Sequence, residues 1–149
     1  MLGKQGVLNP REIAETARPL LSKRSDITKV LVLVDQDCNP GRALQAQQTA
    51  EQLLQMRVVR EVAWCVVQHE LEGWFIADSH AINAVLKATT HPPDPQVTCK
   101  PSEWLKQAFR RAGRRYNKII EGLSLAKEIE LDVVAARNPS FACFRNALL

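Results

Sequence analysis

The sequence predicts an α/β domain: a small, mostly parallel sheet flanked by helices, with a helical C-terminal half. Three observations carry this. Two short apolar runs, KVLVLV at 29–34 and VVREVAWCVV at 58–67, are β-branched and nearly continuous, as strands buried on both faces are. Between them, Leu44, Ala46, Ala50, Leu53 and Leu54 fall at roughly helical spacing within 43–56. From residue 69 onward the pattern is mainly helical.

The elements follow in order. Asn9 can cap a first helix and Pro10 fits its first position, with Pro19 expected to kink or interrupt it. Strand, helix and strand over 27–68 then form a βαβ unit, whose crossover should be right-handed. HELEGWFIADSHAINAVLKA is helical in pattern, with Leu71, Trp74 and Phe75 on one face. TTHPPDPQ at 89–96 is a proline-rich loop. The segment 101–118 predicts an amphipathic helix lined by Leu105, Ala108, Phe109, Ala112 and Tyr116. Short helical pieces continue from 119 to 149, broken near Asn138-Pro139.

A chain of 149 residues suits one domain, 1–149, divided into an N-terminal helical segment (1–26), the βαβ core (27–68) and a mainly helical remainder (69–149). No apolar run approaches the ~20 residues of a membrane span. The start, MLGKQGVLNPREIAE, lacks the apolar core of a signal peptide, so a cytoplasmic location and no membrane partner are expected. Cys38, Cys65, Cys99 and Cys143 form no C-x-x-C pair, so zinc is not indicated and all four are expected reduced. Cys65 and Cys143, in apolar contexts, are expected to be buried thiols. A net charge of +4 permits an anionic partner such as nucleic acid without demanding one.

The first apolar run stops at two carboxylates, Asp35 and Asp37. Residues i and i+2 of a strand point to one side, so the pair can converge, at the strand edge where open α/β sheets bind ligands. Hard cations such as Mg²⁺ (or Mn²⁺) take one or two carboxylates plus waters and phosphate oxygens. The second run is followed at once by His69, Glu70 and Glu72, which parallel pairing brings to the same edge. Asp35, Asp37, Glu70 and Glu72 are therefore the candidate metal ligands, with Glu70 favoured over Glu72 to face the ion. The plainer alternatives are that Asp37 or Asn39 caps the next helix and that Glu70 and Glu72 complement a helix dipole. His69 could be a ligand or a general base but reads better as a hydrogen-bonded surface histidine, and Asp78 reads as a helix-end or capping residue in preference to a ligand.

The ordered set VLVLVDQD, HELEGWFIAD, CKPSEWL, RRYNK and NPSFACF, over roughly 27–149, resembles a bacterial family of uncharacterised TOPRIM-related proteins. The matched positions are Asp35 and Asp37, then Glu70, Glu72, Trp74 and Asp78, then Lys100-Pro101, Tyr116 with Lys118, and Ser140-Phe141. The resemblance implies a single TOPRIM-like domain and Mg²⁺-dependent phosphoryl transfer, as in nucleases of phage or mobile-element defence. It implies metal ligation by Asp35 and Asp37, and a third-ligand or orienting role for Glu70. Its partners would be nucleic acid, a partner ATPase or a second copy of the chain. TOPRIM domains begin with a strand ending in a catalytic glutamate, and no such strand stands in the first ~28 residues, where Glu12 and Glu15 fall in a helical pattern. Either another acid substitutes or the start is truncated or misplaced, and the missing strand would leave an open sheet edge.

The resemblance also singles out Lys100 and Lys118, beside Glu70, as catalytic residues that neutralise phosphate charge. Arg110, Arg111, Arg114 and Arg115 recur along one face of the predicted 101–118 helix and could contact nucleic-acid phosphates, or simply be solvated. Tyr116, Trp64, Trp74, Trp104, Phe141 and Phe144 are expected in the core, and 5% aromatic content argues against a base-stacking surface. Two functions follow: a metal-dependent phosphodiesterase or nuclease, or a non-catalytic TOPRIM-like module acting through a protein or nucleic-acid partner. An acid within reach of Asp35 would decide between them.

Overall fold

A computed structural model describes residues 9–24, 26–57 and 60–148. The element order is α1 (Pro10–Ser22), β1 (Lys29–Asp35), α2 (Arg42–Gln55), β2 (Glu61–Val67), α3 (Glu72–Ile76), α4 (Ser79–Leu86), α5 (Pro101–Arg111), α6 (Ile120–Glu128), α7 (Leu131–Arg137) and α8 (Pro139–Leu148). This is the expected α/β architecture with a helical C-terminal half. Val58 and Val59, the start of the second apolar run, lie outside the described residues.

Asn9 caps α1, its Oδ1 accepting from the Arg11 and Glu12 amides at 3.0 and 3.5 Å. Pro19 does not end the helix, which continues to Ser22. Glu15, whose carbonyl loses its partner to the proline ring, is exposed, so water can satisfy it. Glu12 and Glu15 sit on this helix, both exposed.

β1 and β2 pair in parallel, in register from Lys29↔Glu61 to Asp35↔Val67, as a two-stranded sheet. Pairing runs past the strand ends: the Gln36 amide donates to Val67 and the Asp37 amide to His69. One face places Val32, Val34, Val62 and Val66 against Ala14 of α1 and Ala46 and Leu53 of α2. On the other, Val67 packs with Trp74, Ala77, Val134 and Phe141, and the Cys65 thiol lies 3.3 Å from the Ser140 carbonyl. Burial is deeper toward the carboxyl ends, at Val34, Cys65 and Val67. Leu33 is 37% and Trp64 39% exposed, so Trp64 does not join the core.

The helical half has its own core of Phe75, Ile76, Ile82, Leu86, Leu105, Phe109 and Leu125. Asp78 ends the α3 segment and caps α4, its Oδ1 accepting from His80 and Ala81 while Oδ2 accepts from Glu130. The expected 101–118 helix is shorter: α5 stops at Arg111. Gly113 adopts φ 71°, its amide donates to Arg110, and the Arg114 amide reaches back to Phe109. That is the left-handed glycine stop that closes many helices, and the amphipathic pattern beyond it belongs to a returning loop.

Cys38 and Cys99 are linked across 61 residues, with Cα atoms 5.8 Å apart, which corrects the expectation of four reduced thiols. Cys65 is buried as expected, and burial first, then neighbouring Cys143, pushes its thiol up to about 12. Cys143, expected buried, is instead exposed, although it lies beside the Cys65 thiol. No helix among the described residues is long and apolar enough to cross a membrane.

Candidate functional site at the carboxyl end of the sheet

β1 delivers Asp35 to the carboxyl end of the sheet, where the Leu71 amide donates to its Oδ1 at 3.0 Å. Asp35, Glu72, Tyr116 and Lys118 line one open cleft of about 420 Å³, floored by Leu71 and Phe75. Burial, followed by the Glu72 and Asp37 carboxylates, pushes the Asp35 carboxyl up to about 6. Glu72 opens α3 and is buried, with the Lys118 ammonium 2.8 Å from its Oε1. That bond holds Lys118 above the ordinary lysine range, with Glu70 and Asp35 adding to it. Burial, reinforced by Glu72, Glu121 and Glu70, keeps the Tyr116 hydroxyl protonated well beyond its usual range.

Glu70 is placed differently. It is buried, its Oε2 accepts from the Ser102 amide at 3.0 Å, and Lys100 Nζ lies 3.8 Å from Oε1. It therefore caps the N-terminus of α5, where a negative charge suits the exposed amides and helix dipole. The acid that faces Asp35 is Glu72 and not Glu70. The reason is local: His69, at φ 61°, turns the chain sharply, and α3 starts only at Glu72.

Asp37 adopts φ 50° and turns outward, its Oδ2 3.8 Å from an Arg42 guanidinium nitrogen. The strand does not persist to residue 37, so the two aspartates do not share one side. Asn39 folds onto its own turn, accepting from the Gly41 amide, and does not cap α2. Among the described residues, no three of Asp35, Asp37, Glu70 and Glu72 bring oxygens within 4.8 Å of one another.

Residues 5–149 match the protein family described as "Domain of unknown function (DUF4276)". The chain belongs to this family. No curated protein and no solved structure matches it.

The remaining residues of the DUF4276 chain explain how Lys118 reaches the cleft and Lys100 reaches Glu70. After Gly113, Arg114 pairs with Glu121 at 2.8 Å, donates to the Val85 carbonyl and lies 5.2 Å over the Phe109 ring. Asn117 then caps the next turn through the Ile119 and Ile120 amides, which leaves Lys118 at the cleft. Lys100 reaches Glu70 because Pro101 starts α5 immediately after it. The tryptophan and serine-phenylalanine segments interlock: Trp74 Nε1 donates to Ser140 Oγ at 3.0 Å, Ser140 Oγ to Asn138 Oδ1 at 2.6 Å, and Phe141 meets Trp74 edge-on at 5.1 Å. This pins α3, and so Glu72, against α8.

The four arginines do not form one helical stripe. Arg110, Arg114 and Arg115 line an open groove of about 690 Å³ with Lys106 and Tyr116, whereas Arg111 lines a separate hollow with Trp104 and His91. His69 is hydrogen-bonded as expected, with Nε2 3.1 Å from the Gln96 carbonyl.

Proposed function

We propose that the protein is a metal-dependent phosphodiesterase or nuclease of TOPRIM type, acting at the carboxyl end of its parallel strands. The observation that supports this most is the meeting of Asp35, Glu72 and Lys118 in one cleft. Two carboxylates held together while partly desolvated are short of positive charge, as the rise of Asp35 to about 6 reflects. An all-oxygen donor set of this kind fits Mg²⁺ or Mn²⁺, which accept one or two carboxylates and keep several waters. Asp35 and Glu72 would hold the ion, while Asp37 and Glu70 are engaged with Arg42 and with α5. Bound there, such an ion would polarise a phosphoryl oxygen and acidify an attacking water.

The chain's own residues do the rest. The Leu71 amide fixes Asp35, the Trp74–Ser140 bond holds α3, and Lys118 and Lys100 supply cations beside the acids to neutralise a phosphate. The groove carrying Arg110, Arg114 and Arg115 continues from the cleft through Tyr116 and offers a path for a nucleic-acid backbone. A place in phage or mobile-element defence, beside an ATPase, rests on the TOPRIM resemblance.

The second reading is a non-catalytic module that binds a protein or nucleic-acid partner. It is favoured by the absence, among the described residues, of a third carboxylate oxygen within 4.8 Å of two others. Incubation with labelled DNA and RNA in Mg²⁺ or Mn²⁺ separates the two. The enzyme reading expects cleavage by the wild type that is lost in both Asp35→Asn and Glu72→Gln. Equal inactivity of all three proteins leaves the binding module.

A further inference from the structure

The same sheet end carries a second group of potential ligands with different chemistry. Cys38, His69 and Cys99 come from three separate segments, yet their ligand atoms lie within 4.8 Å of one another, the one such trio among the described residues. The histidine is already oriented. Its Nε2 meets the Gln96 carbonyl at 3.1 Å, and a carbonyl can only accept, so the proton is on Nε2. In the neutral ring Nδ1 then carries the lone pair, and it is buried with no hydrogen-bond partner. A carbonyl that holds one ring nitrogen so that the other can ligate is the usual arrangement at histidine metal sites.

The geometry points to a zinc site, formed in the reduced protein by Cys38 Sγ, Cys99 Sγ and His69 Nδ1. Two thiolates and an imidazole are a soft, nitrogen–sulfur donor set that suits Zn²⁺ and not Mg²⁺. Three protein ligands leave the fourth tetrahedral position open, and both cysteines are exposed, so water or a substrate group can take it. Binding releases two thiol protons to solvent, one from each cysteine. The Cys38–Cys99 bond is the metal-free alternative. A dithiol reductant converts it to two thiols, itself becoming the cyclic disulfide, and only then are the ligands available. The site thus takes metal in one redox state and closes in the other.

Cobalt(II) titration of the full chain tests this, since thiolate–cobalt charge-transfer absorption reports sulfur ligation directly. Protein reduced with a phosphine and desalted should bind one Co²⁺ per chain with that absorption, and one equivalent of Zn²⁺ should displace it. The oxidised protein should show none. Cys99→Ser and His69→Ala should each lose or shift the band, with circular dichroism confirming the fold, while Cys143→Ser and Asp35→Asn should retain it. The Asp35→Asn arm separates this site from the carboxylate cleft. Absence of the band in reduced wild type, an equal band in the oxidised protein, or its persistence in Cys38→Ser/Cys99→Ser would overturn the assignment.

Discussion

The two halves of the molecule bury their apolar surface in different ways. The βαβ unit is closed by small residues, alanines and valines with Leu53, and leaves Leu33 and Trp64 part-exposed. The helical half is built on Phe109, Leu105, Ile76, Ile82 and Leu125, each at 0% exposure. Stability therefore resides mainly in the helices. The thinner sheet layer provides the strand end at which polar groups gather, and the helical half reaches across with Lys100 and Lys118.

The sharpest way to break this comparison is to weaken each core in turn. Phe109→Ala should cost about 3–5 kcal/mol, since it also removes the ring under Arg114 and beside Tyr116. Val32→Ala, in the thinner layer, should cost only about 2 kcal/mol. Urea unfolding of both variants checks the ranking, and a reversed order would refute it.

Next in size is the seam. Glu70→Ala removes the acceptor of the Ser102 amide and should lose about 1–2 kcal/mol, as loss of a helix cap does. Asp35 should behave in the opposite sense. Its folded-state carboxyl titrates near 6 against an ordinary 3.8, so the folded protein binds that proton more tightly than the unfolded chain. Its contribution to stability is retained below about pH 4 and lost as pH rises through 6. Asp35→Asn should therefore raise the melting temperature at pH 8 but not at pH 4, and added Mg²⁺ should raise only the wild type. A melting series over this pH range, with and without the ion, would detect either outcome. The smallest effect expected is at Arg115. Arg115→Ala should leave stability within about 0.5 kcal/mol, while lowering the salt slope of any nucleic-acid binding by about 1.

The same contrast explains what could be read from the sequence. β1, α2 and β2 were legible because a βαβ unit is specified by local periodicity, and Asn9 and Asp78 as caps because capping acts within three residues. The stop at Gly113 was hidden by Ala112 and Tyr116, which keep a helical rhythm although the chain has left the helix. The exchange of roles between Glu70 and Glu72 depends on the left-handed turn at His69, which a non-glycine residue does not announce. Cys38 and Cys99, 61 residues apart, carry no local signal of their meeting. Their only hint was that each lies beside a segment already singled out: Asp37 in one case, Lys100 in the other.

The bond between Lys118 and Glu72 means that the cleft comes with a tethered tenant. The ammonium is half free in solvent yet cannot diffuse away, so its local concentration is set by a single side chain and does not fall on dilution. A divalent ion binding at Glu72 would have to displace Lys118, so its measured affinity would be a difference between two binding free energies. The displaced lysine, its charge unchanged, would be left beside the newcomer, free to meet an anion.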